Sequence, residues 1–183
     1  MKGYPAIEDH GLIGDLQTAA LVTCDGTIDW FCAPRFDSPS IFAALLDKEK
    51  GGFFQIAPHE VRYVTEQLYL PGRPILITRF ISADGVAEVM DFMPVTGGRV
   101  TDSHRLVRMV NMVRGSMRFR VECRPRFDYA RERHEVERHR NGYLFRSPSA
   151  TLHLQPDRPG TAALGPDRRD PHGGRRPDRL RHA

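Results

Sequence analysis

Lysine is almost missing from this 183-residue chain: only Lys2, Lys48 and Lys50 break an otherwise all-arginine basic complement, the bias that GC-rich coding produces. The net charge of +4 is also unevenly placed. From Pro156 onward the chain holds seven Arg and four Asp, so the body before it is nearly neutral. That body has no basic stripe interleaved with aromatics, and nucleic-acid binding has no support. No stretch approaches the roughly 18 apolar residues that span a bilayer. The first fifteen residues carry Glu8, Asp9 and Asp15 in place of a basic start and an apolar run, so no secretory leader is expected. These absences predict a soluble, cytoplasmic protein without a membrane partner. Cysteine is scarce and odd in number, at Cys24, Cys32 and Cys123, which favours reduced thiols over a disulfide framework. No Cys-x-x-Cys or His-x-x-x-His spacing occurs, and neither metal nor cofactor is expected.

The length suits one domain, or one domain and a tail. Its strongest local signal is residues 18–33, two apolar runs flanking Asp25-Gly26. A type I′ turn at Asp25-Gly26 pairs Thr23 with Ile28, Leu21 with Trp30 and Ala19 with Cys32. On that register these six residues face a core, and Trp30, the only tryptophan, lies inside. The other face carries Ala20, Val22, Phe31 and Asp29, too apolar to be fully solvated. Ser38-Pro39 then predicts a short helix through Leu46, with Ser as cap and Pro in the first turn.

Beyond Gly51-Gly52 the pattern is strands: Phe53–Ala57, Arg62–Leu70, Ile75–Ser82, Val86–Met93, His104–Val113 and Met117–Cys123. Turn residues separate them at Pro71-Gly72, Asp84-Gly85, Gly97-Gly98 and Gly115-Ser116, and Asn141-Gly142 closes a further hairpin between Glu135-Val136 and Tyr143–Phe145. Short strands at such intervals predict an all-β, antiparallel β-sandwich with one short helix, over residues 1–155. Residues 156–183 are rich in Arg, Pro and Gly, with Ala and Leu as their only apolar types. Such a segment cannot offset its ordering cost and reads either as a disordered tail or as an out-of-frame translation.

The run Tyr4-Pro5-Ala6-Ile7-Glu8-Asp9-His10-Gly11-Leu12-Ile13-Gly14-Asp15, followed by Thr18–Val22 and Asp25-Gly26-Thr27-Ile28-Asp29-Trp30, resembles the start of bacterial glycoside hydrolases of family 15. Arg35–Leu46, Tyr69-Leu70-Pro71-Gly72, Asp91-Phe92-Met93-Pro94 and Arg126-Phe127-Asp128-Tyr129 continue the match in family order, which fades after about Ser149. The resemblance implies a trehalase-like N-terminal domain with a supersandwich-like fold, preceding an (α/α)6 barrel that hydrolyses α-glucosidic bonds of trehalose or starch-type oligosaccharides with inversion. Inversion needs an acid and a base about 6.5–9.5 Å apart. The family carries both in the barrel, for which this chain has no room. The isolated chain is therefore expected to be inactive, and no catalytic residue is assigned. Glu8, Asp9, Asp29 and Asp91 read as surface or turn acids.

One internal echo remains. Cys32-Ala33-Pro34-Arg35-Phe36-Asp37 and Cys123-Arg124-Pro125-Arg126-Phe127-Asp128 share the pattern Cys-x-Pro-Arg-Phe-Asp, each after a strand that proline ends. Arg35, Asp37, Arg126 and Asp128 are candidates for bracing the interface with the barrel or for reaching sugar hydroxyls. The competing reading makes them local ion pairs worth about 0–1 kcal/mol. Two further readings of the whole chain are a free-standing carbohydrate-binding or protein-docking sandwich, and a truncated product that exposes apolar surface and aggregates.

Overall fold

Residues with short turn-forming connections and apolar residues at every second position fold as antiparallel ladders, and thirteen strands result among the described residues. The computed structural model describes residues 3–59, 62–95, 97 and 103–156. Of the expected disordered or out-of-frame tail, residues 156–183, all but Pro156 lies outside them. A 3-10 turn, Ile7–Asp9, leads into β1 (His10–Gly14), β2 (Ala19–Thr23), β3 (Thr27–Cys32), β4 (Ser40–Phe42) and β5 (Phe53–Pro58). Next come β6 (Val64–Tyr69), β7 (Leu76–Ile81), β8 (Gly85–Phe92), β9 (Val107–Gly115) and β10 (Phe119–Arg124). A helical turn, Phe127–Ala130 (α1), precedes β11 (Glu135–His139), β12 (Gly142–Arg146) and β13 (Thr151–Leu154).

The first sheet runs β1-β2-β3-β5-β10, with β4 added beside β3; the second runs β6-β7-β8-β9, and the third is the meander β11-β12-β13. The first two face each other as a sandwich. Their shared core holds Ile13, Ala20, Val22, Ile28 and Ile56 from one layer and Leu76, Phe80 and Val89 from the other. Each Ile, Val, Leu and Phe among them contributes roughly 1.5–3 kcal/mol when fully buried. Two glycines permit the close approach. A Cβ at Gly11 would sit 2.4 Å from Leu76, and one at Gly26 would sit 2.3 Å from the Ile56 carbonyl and 3.1 Å from the Phe80 ring.

The layers are also joined by a buried guanidinium. Along β8, Gly85, Ala87, Val89 and Asp91 point inward, so Asp91 is fully buried. Arg108 lies opposite it on β9. Its Nε and Nη2 donate to the two Asp91 carboxylate oxygens at 2.8 and 3.1 Å. Its Nη1 and Nη2 also donate to the carbonyls of Phe54 and Gly26 in the opposite sheet at 2.7 and 2.8 Å. The Phe54 ring lies 4.8 Å from the guanidinium carbon.

Two buried histidine–carboxylate pairs fasten the N-terminal strand. His10 Nδ1 lies 2.9 Å from the Ala6 carbonyl, so it carries a proton, while Nε2 lies 3.0 Å from Asp29 Oδ2. Burial opposes a charge on His10, but the Asp29 hydrogen bond and charge and the Ala6 and Ile7 carbonyls outweigh it and raise its pKa above 6.5. Burial also raises Asp29 above 3.8. Its Oδ1 has no hydrogen-bond partner among the described residues, and the bond and charge of His10 offset only part of that rise. Both shifts keep a proton in the pair, which titrates as a unit. The second pair is Asp15 Oδ2 and His104 Nδ1, 2.5 Å apart. Burial pushes Asp15 upward, but His104 and the amides of Thr18 and Gln17 hold its pKa below 3.8.

Three expectations change against this frame. The β2–β3 turn is not type I′: among its residues only Gly26 has positive φ, +78°, and its amide donates to the Thr23 carbonyl. The ladder therefore starts with Val22 opposite Ile28, and a bulge restores Leu21 opposite Trp30 and Ala20 opposite Phe31. One displaced residue turns side chains to the other face. Ala20, Val22, Ile28 and Phe31 fill the core, while Leu21 and Trp30 are half-buried. The helix expected from Ser38 to Leu46 is instead β4 and a turn. Ser38 Oγ caps the Arg35 amide at 3.0 Å, and Ser40, Ile41 and Phe42 are all buried, a pattern no one-sided helix fits. Finally, Asp29 and Asp91 are buried ion-pair partners rather than surface acids.

Replacing Arg108 by Met leaves the Asp91 carboxylate buried and unpaired, so urea unfolding should show a loss of about 3–5 kcal/mol. The double variant Arg108→Met/Asp91→Leu should recover part of it, because only the Phe54 and Gly26 carbonyls then lack their donor. The raised pKa values of His10 and Asp29 mean that their contribution is present at low pH and fades as pH rises, for His10 above 6.5. The lowered Asp15 value contributes the reverse, stability present above 3.8 and lost below it. Urea midpoints measured across pH should therefore lose their alkaline decline in Asp29→Asn and their acid decline in Asp15→Asn; unchanged profiles would contradict both assignments.

Candidate functional site at the sandwich rim

β5 lies between β3 and β10 and is antiparallel to both, so β3 and β10 run the same way and deliver both Cys-x-Pro-Arg-Phe-Asp segments to one end of the first sheet. The second segment then follows β4. The Arg126 amide donates to the Ile41 carbonyl at 2.9 Å, and the Tyr129 amide to Ser40 Oγ at 3.1 Å. Because β4 pairs with the end of β3, this path brings Tyr129 to the first segment. Its ring centroid lies 6.2 Å from that of Trp30, and at the same end of β3 burial pushes the Cys32 thiol above its usual 9.0.

The two echoes differ in what they expose. Arg35 and Asp37 form an ion pair at 3.1 Å with both side chains about three-quarters exposed, and Phe36 between them is 62% exposed. Phe127 is buried instead. It packs on His134, which packs on Phe145 of β12 and so ties in the third sheet. Asp128 pairs with Arg131 at 2.6 Å rather than with Arg126. The Arg126 Nη1 donates to its neighbouring Pro125 carbonyl at 3.3 Å. The structure thus brings the four candidates to one rim, where Arg35 pairs with Asp37 and Asp128 with Arg131.

Backbone strain marks the same rim. Asp128, Tyr129 and Ala130 have φ of +48°, +55° and +64°, three consecutive non-glycine residues in the left-handed region at roughly 1–2 kcal/mol each. The cost is met by the buried Phe127 anchor, by Ser40, and by Arg131, whose amide and Nε both donate to the Asp128 carbonyl. The turn's effect is to hold Tyr129, 42% exposed, beside Trp30. The rim therefore offers guanidinium donors, carboxylate acceptors and two aromatic faces, chemistry that suits docking or polyol recognition. Sequence reasoning found the echo but missed Trp30 and Tyr129 as parts of one surface, because what joins them, through the buried Ser40, is the β4 pairing concealed by the helix signal at Ser38-Pro39. Among the described residues no group of three or more His, Cys, Asp or Glu is placed to hold a metal ion, and no helix is long and apolar enough to cross a membrane.

No solved structure matches the chain. Among curated proteins it is 30% identical to a trehalase of Thermoplasma volcanium over 87% of its own length and 26% of that protein. It is 36% identical to a trehalase of Thermoplasma acidophilum over 68% of its length and 22% of the relative, and 33% identical to a trehalase of Mycolicibacterium smegmatis over 70% and 21%. The chain thus spans about a quarter or less of the relatives it matches. Residues 2–160 match the family described as "Trehalase-like, N-terminal", and the chain belongs to that family of N-terminal domains.

Proposed function

We propose that this chain is the non-catalytic N-terminal domain, residues 1–155, of a family 15 glycoside hydrolase of trehalase or glucoamylase type. In this reading its rim braces a catalytic (α/α)6 barrel that cleaves α-glucosidic bonds in trehalose or starch-type oligosaccharides. The observation that carries the reading is the convergence of both Cys-x-Pro-Arg-Phe-Asp segments on one end of the first sheet, bound together through β4. The alignment to only the quarter or less of each trehalase points the same way. Arg35 and Asp37 are the interface contacts, since both project from the surface. Asp128 and Arg126 shape the turn that presents Tyr129. The acid and base of inverting hydrolysis belong to the barrel, and the sandwich acts by positioning the loops that carry them. Free thiols at Cys24, Cys32 and Cys123 fit a cytoplasmic setting.

The half-exposed Trp30–Tyr129 pair supports a second reading, a free-standing carbohydrate-binding module in which the aromatic faces stack on a sugar ring. Titrating trehalose and maltose against the 183-residue chain separates the two. Saturable heat at the rim favours the module; none favours the brace.

In a full-length relative, the substitution corresponding to Arg35→Ala should lower kcat/KM by about tenfold or more while the melting temperature holds, and an unchanged rate would sink the brace. Ala130→Gly relieves one left-handed residue. It should stabilise the fold by about 1 kcal/mol while lowering activity in the full-length enzyme, as expected where strain is retained for presentation. Higher stability with unchanged activity would make the turn merely structural.

A further inference from the structure

Among the described residues β9 is the longest strand, nine residues, and it forms an edge of the second sheet: β8 pairs with one side and no described strand with the other. Met109, Val110, Met112 and Val113 are 40–55% exposed. Neighbouring residues of a strand point to opposite faces, so this edge is apolar on both. Exposed edges are ordinarily blunted by charge, proline or cover. Between Arg108 and Arg114 there is no charge and no proline, and the Arg108 guanidinium is turned inward onto Asp91. The opposite edge of the same sheet, β6, carries Glu66, ion-paired with Arg79. The outer strand of the first sheet carries Arg120, Glu122 and Arg124. β9 alone among these edges lacks protection.

We propose that β9 pairs antiparallel with β9 of a second copy about a two-fold axis at Val110, joining two four-stranded sheets into one of eight. The register follows from the strand's own irregularity. The β8 ladder is regular from Phe92 opposite Val107 to Ala87 opposite Met112, then shifts so that Val113 has no opposite residue. Within that stretch Arg108 is turned inward with its charge balanced and Met112 is the last residue before the shift, and the segment they bound has Val110 at its centre. Self-pairing there sets Val110 against Val110, Met109 against Asn111 and Met112 against Arg108, whose charge Asp91 already balances. Arg114 falls beyond the paired stretch, so no like charges meet. The bulge at Val113 then ends the ladder. Residues beyond Pro156 fit this edge less well, because their apolar types are only Ala and Leu among seven Arg.

Sedimentation of the intact 183-residue chain over a dilution series tests the proposal. It predicts a reversible rise in mass from 20.8 kDa to twice that value and no further. Val110→Lys, which sets two like charges face to face at the axis, should leave a monomer with an unchanged circular dichroism spectrum. Leu46→Lys, at an exposed apolar residue elsewhere, should leave the dimer intact. In a Cys24→Ser background, Val110→Cys should form a disulfide-linked dimer on oxidation, because residues directly opposite have Cβ atoms about 4.5–5.5 Å apart. Val113→Cys should not, since its two copies would lie about 20 Å apart along the strands. A monomer at every concentration, open-ended polymers, or a dimer indifferent to Val110→Lys would each overturn the proposal.

Discussion

Four hydrogen bonds from the Arg108 guanidinium hold the two layers of the sandwich in register, and most of the molecule's geometry depends on them. Two fix the β8–β9 ladder through Asp91, and two reach carbonyls of the β2–β3 turn and of β5 in the opposing sheet. A planar group with donors in a fixed fork suits this task, where lysine would supply a single point of charge. The position is costly unless every partner is present, since a buried carboxylate without its cation is strongly destabilising. Gly26 takes part twice, as the left-handed turn residue and as an acceptor of Arg108. The β2–β3 turn is thereby placed over Phe80, and the shared core closes beneath it.

From that frame the rim follows by strand direction. Because β5 opposes both neighbours, the two echoed segments are carried to the same end. β4 supplies the edge along which the second reaches the first. The histidine–carboxylate pairs secure β1 beneath this arrangement, and Leu45 donates its amide to the Asp29 carbonyl, which links the β4 turn to the same pair. The strained turn at Asp128–Ala130 sets local preference aside over three consecutive residues, and it lies where the surface becomes aromatic and charged.

Much of this was legible in the residues. Pro71-Gly72, Asp84-Gly85, Gly115-Ser116 and Asn141-Gly142 mark turns between strands, and the all-β sandwich follows from their spacing. The ordered motifs led to the trehalase-like N-terminal family. What was not legible depends on a single residue or on distant partners. Only the structure shows that Gly26 alone is left-handed and that a bulge moves Ile28 onto the face of Phe31, which carries Trp30 out of the core. Ser38-Pro39 is a sound helix start in isolation, yet three consecutive buried residues at 40–42 pair with β3 instead. Asp29 and Asp91 looked like surface acids because their partners, His10 and Arg108, come from other strands. The four rim candidates were found as a repeated pattern, whereas Tyr129 and Trp30 required the fold to bring them together.

The central claim is that the rim built by the two Cys-x-Pro-Arg-Phe-Asp segments is the face a catalytic domain covers. Amide hydrogen exchange compares this directly between the 183-residue chain and a chimera in which the remainder of the Thermoplasma volcanium trehalase follows it. The account predicts slowed exchange at residues 33–38 and 126–131 in the chimera, with the Arg108 core equally protected in both. Unchanged exchange at the rim, with new protection confined to another face, would contradict it.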